Sequence, residues 1–199
     1  MLWIITACGL AALAVFLERS LHLRRAAISY RDFLHGVRNV LDKGNTDEAV
    51  QICEDAPGPV PALIRAAILH RHEPRHILVE AIGNVGRAEI ARMERRVAVI
   101  ATIGQIAPLL GLLGTVFGII ETVVVLRDQT PLVYATSVTD GVLRALVNTA
   151  AGLIVAAPCY VMHHVLILQI DRMVLDMEAA EIDITAYLTA RQSAEKKHA

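Results

Sequence analysis

One uncharged stretch, Ile100 to Ile120 (IATIGQIAPLLGLLGTVFGII), constrains this chain more than any other feature. It is long enough to cross a bilayer, which takes about 20 predominantly apolar residues, and it is crowded with glycine. A segment that served only as an anchor would be leucine and isoleucine throughout. Here Gly111, Gly114 and Gly118 leave room for another helix to approach closely. Thr115 places a hydroxyl at mid-depth, and Pro108 stands a third of the way in. A polar atom at that depth needs a partner or water. The combination predicts a packed assembly with an interior path.

Composition agrees. Of 199 residues, 55% are hydrophobic, too many for an ordinary water-soluble domain, and the net charge of -1 lacks the basic footprint of nucleic-acid binding. Cys8, Cys53 and Cys159 are widely spaced and odd in number, which reads as three packed small hydrophobes. Hydrolase, metalloprotease, P-loop and dinucleotide motifs are missing, so no catalytic residue and no enzymatic activity are expected. His70, His72 and His76 read as solvated surface and not as metal ligands.

The pattern predicts an all-α membrane protein with three transmembrane helices and long cytoplasmic helical extensions. The divisions are a first transmembrane helix (1–25), a cytoplasmic helical region (26–96), a second transmembrane helix (97–126), a short external loop (127–141), a third transmembrane helix (142–165) and a cytoplasmic tail (166–199). The first apolar run, Leu2 to Leu17, is short, and helix continuing to Leu23 extends it, with Arg19 and Arg24 snorkelling. Basic residues follow this run instead of preceding it, which favours an uncleaved anchor. Thirteen of the 19 Lys and Arg residues lie between Arg19 and Arg96, whereas the short link has one. The rule that basic loops stay inside therefore puts the N-terminus outside and the C-terminus inside.

In the cytoplasmic region, helix should run to about Lys43 and stop at Gly44. Thr46 then caps a helix opened by Asp47 and Glu48. A Pro57–Pro61 break precedes a short helix to His72. From Pro74 to Leu126 one long helix is expected, kinked at Pro108, with Leu78, Ile82 and Val85 on its apolar stripe. Glu89, Arg92 and Arg96 are spaced for ion pairs along it. Leu175, Ala179, Ile182 and Ala186 continue an apolar face in the tail. Its acidic residues, Asp171 to Asp183, could attract the basic segments Arg92–Arg96 and Arg24–Arg31 or simply be solvated. The last residues, from Ser193, are expected to fray.

Two faces carry the candidate chemistry. Pro108, Gly111, Thr115, Gly118 and Thr122 recur at helical spacing on the second span. Ala145, Thr149, Gly152 and Ala156 do so on the third, with Asn148 beside them. Each stripe has minimal bulk and one deep threonine, Thr115 or Thr149. Ordinary helix packing, with each hydroxyl bonded one turn back, explains any single threonine; two at comparable depth suggest a lined ion pathway. The spans hold no central Asp or Glu, so a partner must bring the carboxylate. Arg144 either snorkels, pairs with Asp140, or sets the electrostatics of an outer mouth.

Three segments are similar to one family. LERSLHLRRA (Leu17 to Ala26), ERRVAVIATIGQIAPLLGLLGTVFGII (Glu94 to Ile120) and ALVNTAAGLIVAAPCYVMHH (Ala145 to His164) resemble the ExbB/TolQ/MotA proton-channel proteins, closest to the three-span ExbB/TolQ branch. The resemblance implies a homopentameric ring in the bacterial inner membrane. The ring would enclose the single spans of two ExbD-like or TolR-like subunits, whose aspartate carries a proton, or sodium, past Thr115 and Thr149. Transport would drive envelope transport or maintenance without a cofactor. Where family members often have a glutamate five residues before the second threonine, this chain has Arg144. A non-conducting membrane scaffold is the rival reading.

Overall fold

The computed structural model describes residues 2–26, 30–128 and 135–198, with the side chains at 22, 24–26, 126, 128, 135–138 and 194–198 excepted. Six α-helices account for nearly all of them: α1 (Leu2–Ala26), α2 (Tyr30–Asp42), α3 (Thr46–Asp55), α4 (Pro59–Leu69), α5 (Arg75–Asp128) and α6 (Ala135–His198). No strand occurs among the described residues. α1, α5 and α6 are each long and apolar enough to cross a membrane. Helix suits that setting because it satisfies every backbone polar group within the segment.

The chain forms two compact units. One comprises Met1–Arg19 and Arg96–Leu166, the other Ser20–Arg95 and Ile167–Ala199. In the first, the buried positions of α5 are Val97, Ile100, Gly104, Ala107, Gly111, Gly114 and Gly118. They alternate at three- and four-residue steps, the repeat by which two helices keep one seam in contact. Its outer residues are large and apolar, with Leu109, Leu112, Phe117 and Ile120 each more than half exposed. α5 continues through Pro108 and α6 through Pro158.

In the second unit, Val37, Ile64, Ile68, Ile82 and Ile184 are fully buried and come from α2, α4, α5 and α6. The turn at Gly44 has φ +84°, a conformation glycine alone adopts without strain. Asn45, and not Thr46, is the N-cap of α3; its amide donates to Glu48 Oε2 at 2.9 Å and makes no side-chain bond to the helix backbone. α4 opens at Pro59, two residues earlier than expected, because a proline fits the first turn without losing a hydrogen bond. The far end of α6 is tied down by Arg38 donating to the Asp183 carbonyl (2.7 Å), Tyr187 donating to Asp42 (2.5 Å) and Arg191 donating to the Leu41 carbonyl (2.6 Å). Gln192 donates to the Arg71 and Glu73 carbonyls.

Several expectations change. Arg19 is buried, 5% exposed, where snorkelling was expected. Arg92 pairs with Glu89 along α5, but Arg96 reaches Glu18 of α1 at 3.6 Å. The buried face of the α6 tail is Ile170, Met173, Met177, Ala180, Ile184 and Leu188; Leu175 and Ile182 point the other way, 64% and 70% exposed. The segment from Ser193 is helical through His198 rather than frayed. α5 and α6 also occupy both ends of the 127–141 link, whose residues 129–134 lie outside the described residues, as do 27–29, where one continuous helix was expected. The side chains of Arg24 and Arg25 lie outside them too.

Candidate functional site

The candidate residues sit where α5 and α6 pack in the first unit, and the geometry is that of two backbones nearly touching. A Cβ on Gly111 would lie 3.0 Å from the Asn148 carbonyl oxygen and 3.1 Å from the Thr149 Cα. One on Gly114 would meet the Asn148 Cβ at 2.7 Å, and one on Gly118 the Ala145 Cβ at 2.9 Å. From the other side, a Cβ on Gly152 would be 2.6 Å from the Ala107 carbonyl oxygen. Gly104 faces Cys159, and Gly141 faces the Thr122 hydroxyl. Position along α5 rises as position along α6 falls, so the helices run antiparallel.

The two small-residue stripes therefore lie against each other. Gly111, Gly118, Ala145, Gly152 and Ala156 are buried in this seam, while Pro108, Thr115, Thr122, Asn148 and Thr149 are half-buried at its margin. The seam includes Gly114, as the expected close approach at Gly111, Gly114 and Gly118 requires, and also Gly104 and Ala107, which lie off the expected face and continue its three-four alternation. Thr102, another hydroxyl on the apolar stretch, escaped notice in the pattern; it bonds back to the Ala98 carbonyl at 2.9 Å.

The hydroxyls are all committed. Thr115 donates to the Leu112 carbonyl at 2.5 Å and Thr122 to the Gly118 carbonyl at 2.8 Å, both within α5. Thr149 instead donates across the seam to the Gly111 carbonyl at 3.3 Å, and the Asn148 amide reaches the Gly114 carbonyl at 3.5 Å. Thr115 and Thr149 thus bond to adjacent carbonyls of α5, those of residues 112 and 111. This places both hydroxyls at one level of the helix pair. It offers polar oxygen atoms to a cation or a protonated carboxyl but supplies no group that titrates near neutrality.

At the end of the pair, Arg144 and Asp140 are both exposed, and no ion pair joins them, which removes the pairing from the three alternatives for Arg144. Glu121 is likewise exposed. His72 and His76 are exposed as expected, but His70 is half-buried and its ring nitrogen lies 2.9 Å from the Ala66 carbonyl, closing α4. Among the described residues no cluster of His, Cys, Asp or Glu could hold a metal ion. Cys53 and Cys159 are buried and Cys8 half-buried, all as free thiols.

Three long apolar helices, two of them joined by a glycine seam with threonines at its edge, define a helical membrane protein. The chain belongs to the MotA/TolQ/ExbB proton channel family, whose model matches residues 56–179. Its relatives include an ExbB homolog for biopolymer transport from Methanothermobacter thermautotrophicus, 29% identical over 155 residues, 77% of this chain and 54% of that protein. The biopolymer transport protein exbB1 of Vibrio cholerae is 25% identical over 181 residues, 89% of this chain and 79% of its own. The Tol-Pal system protein TolQ of Haemophilus influenzae is 34% identical over 83 residues, 42% of this chain and 36% of its own. The chain spans little more than half the length of the Methanothermobacter relative, at 54%.

Proposed function

We propose that this chain is the ring-forming subunit of an inner-membrane motor driven by the proton-motive force. It energises envelope transport or maintenance through a single-span partner of the ExbD/TolR kind. The observation carrying this reading is the pair of hydroxyls, Thr115 and Thr149, at one level of an α5–α6 seam whose spans contain no central carboxylate. Such a level suits a partner's carboxyl that takes up a cation, sheds it and needs hydrogen-bond partners in both states. Proton is the expected ion, with sodium as the variant, and no cofactor is called for.

The seam also divides the labour among the candidate residues. Glycines and alanines hold α5 to α6. Pro108, Thr115, Thr122, Asn148 and Thr149, half-buried at the margin, line the path. Arg144 and Asp140, exposed and not ion-paired to each other, set the charge at its outer end. With the N-terminus outside, residues 26–96 and 166–199 are cytoplasmic. Assembly into a ring, five-fold in keeping with the family resemblance and enclosing two partner spans, is supported by a second apolar face on α6. Leu168, Leu175 and Ile182 are exposed at seven-residue spacing, with Ala179 between the last two and Ala186 one turn beyond, a seam suited to another copy.

The test is proton flux in liposomes holding the chain and its copurifying partner. The double substitution Thr115→Val and Thr149→Val is expected to abolish flux while leaving the complex assembled; undiminished flux removes the hydroxyls from the mechanism. Arg144, standing where relatives often carry a glutamate, supports the rival reading of a non-conducting scaffold. Under that reading the wild-type complex itself passes no protons.

A further inference from the structure

We propose that the second unit carries a docking groove for a basic amphipathic segment of another protein, whose apolar side chains sit between α5 and α6 and whose lysines or arginines meet a rim of glutamates. The groove opens to solvent, holds about 370 Å³ and lies where α4, α5 and α6 come together. Leu63, Ile90 and Met177 form its floor, and a methionine there adapts to occupants of different shape. Gly83 and Gly86 keep the groove clear. Only the tip of Arg87 comes within 4 Å of where a Gly83 Cβ would stand, and a Cβ on Gly86 would find its nearest neighbours at 3.8 Å. Along α5 the lining runs from Val79 to Ile90, about 16 Å at a rise of ~1.5 Å per residue. That is roughly three turns of helix, the length over which an amphipathic helix presents anchors at i, i+3, i+4 and i+7.

Charge selects the occupant. Glu80 on α5 and Glu178 and Glu181 on α6 line the groove, against one lining cation, Arg87. None of the three carboxylates joins an ion pair among the described residues. Arg87 turns to its own helix and donates to the Asn84 side-chain oxygen at 2.7 Å. Carboxylates beside apolar walls make a negative trough, and its complement is a segment with cations flanking apolar anchors. Complementarity of this kind steers encounter and rejects acidic partners. A second copy of this chain fits less well. Its exposed α6 stripe, Leu168 to Ile182, lies among Asp171, Asp176, Glu178, Glu181 and Asp183 with a single arginine, Arg172. Seated here it would set acid against acid, so the seam between copies proposed above lies outside this groove. The groove sits wholly within the second unit, and its occupant does not depend on the transport reading.

The experiment is photo-crosslinking of the full chain in its native host, with benzoylphenylalanine placed at Val79 or at Val174, one on each wall, and the adducts sequenced by mass spectrometry. Both positions are expected to capture a Lys- and Arg-rich segment of a different protein with apolar residues at helical spacing. The same label at Ala88, exposed outside the groove, should not capture it. Glu178→Gln combined with Glu181→Gln should lower the yield by about fivefold or more. Glu54→Gln, which removes a carboxylate paired with Arg65, should leave it unchanged. Equal amounts of each variant in the membrane separate lost docking from lost folding. Adducts confined to another copy of this chain or to lipid, adducts to acidic segments, a yield unmoved by the double glutamine substitution, or no adduct from either position would each overturn the proposal.

Discussion

The two units of this chain are held together in opposite ways. Around Gly111, Gly114 and Gly152 the helices adhere because side chains are missing, so that backbones touch. Around Ile64, Ile68 and Ile184 they adhere because large side chains are present and fully enclosed. The difference follows from the solvent. Lipid tails are as apolar as leucine, so burying leucine there gains little, and close van der Waals contact is what remains. In water, removing apolar area is itself favourable, by about 25 cal/mol per Å². The outward faces agree: in the first unit large apolar residues such as Leu109, Phe117 and Ile154 are exposed along the spans, with exposed charges such as Glu121 and Arg144 near their ends, while the second unit exposes many charged side chains.

The contrast can be broken most directly by truncation and addition. Ile64→Ala, which empties a fully enclosed site, should lower the unfolding free energy of the second unit by about 2–5 kcal/mol. A denaturant series following an amide-exchange or fluorescence probe in that unit measures it; a loss below 1 kcal/mol would contradict a core held by large side chains. Gly152→Val does the reverse in the first unit. Its new Cβ would stand 2.6 Å from a carbonyl oxygen of the backbone, which cannot swing aside. A cost of about 1–3 kcal/mol or more is expected, read as loss of monodisperse protein after extraction. Gly86→Ala is the control, since its Cβ would meet Leu63 and Met177 at an ordinary 3.8 Å. It should be neutral or stabilising, by up to about 1 kcal/mol.

A pH series sharpens the same comparison. Burial pushes the Cys53 thiol up from 9.0 to about 12. Below pH 9 the thiol is neutral in both states and its contribution is intact. Above it the unfolded chain ionises first, so stability falls as pH rises, by about 1.4 kcal/mol per unit until the folded value is reached. Between pH 9 and 10.5 the wild type should therefore lose roughly 2 kcal/mol relative to Cys53→Ala. Parallel curves for the two proteins would show that water reaches this site.

The sequence made the helices, the three spans and the glycine pairing visible because each rests on composition and on a period of three to four residues. It was less informative where two answers share that period. On the α6 tail, Leu168, Leu175 and Ile182 form as regular a stripe as Ile170, Met177 and Ile184, and only the fold decides which is buried. On α5, small residues spread over more than one face, so Pro108, Thr115 and Thr122 looked as central as Gly111, Gly114 and Gly118, although the glycines and Ala107 carry the contact. Long-range polar bonds such as Arg38 to the Asp183 carbonyl leave no local signature, because their partners are 145 residues apart.

The smallest expected effect bears on the claim that the first unit depends on close approach and not on its hydrogen bonds. Thr149 donates to the Gly111 carbonyl across the seam at 3.3 Å, a long bond in a setting where polar pairing is often assumed to be strong. Valine fills nearly the same volume and keeps the methyl contact. The carbonyl it abandons is one of α5's own, already accepting from its helix. Interhelical bonds of this kind average about 0.6 kcal/mol, since the separated helices also find partners. Thr149→Val should thus cost about 0.5 kcal/mol in stability, far less than Gly152→Val one turn away, while removing a hydroxyl that the proposed mechanism invokes. A loss of 2 kcal/mol or more would mean that the bond, and not the bare glycine surface, is what clamps α5 to α6.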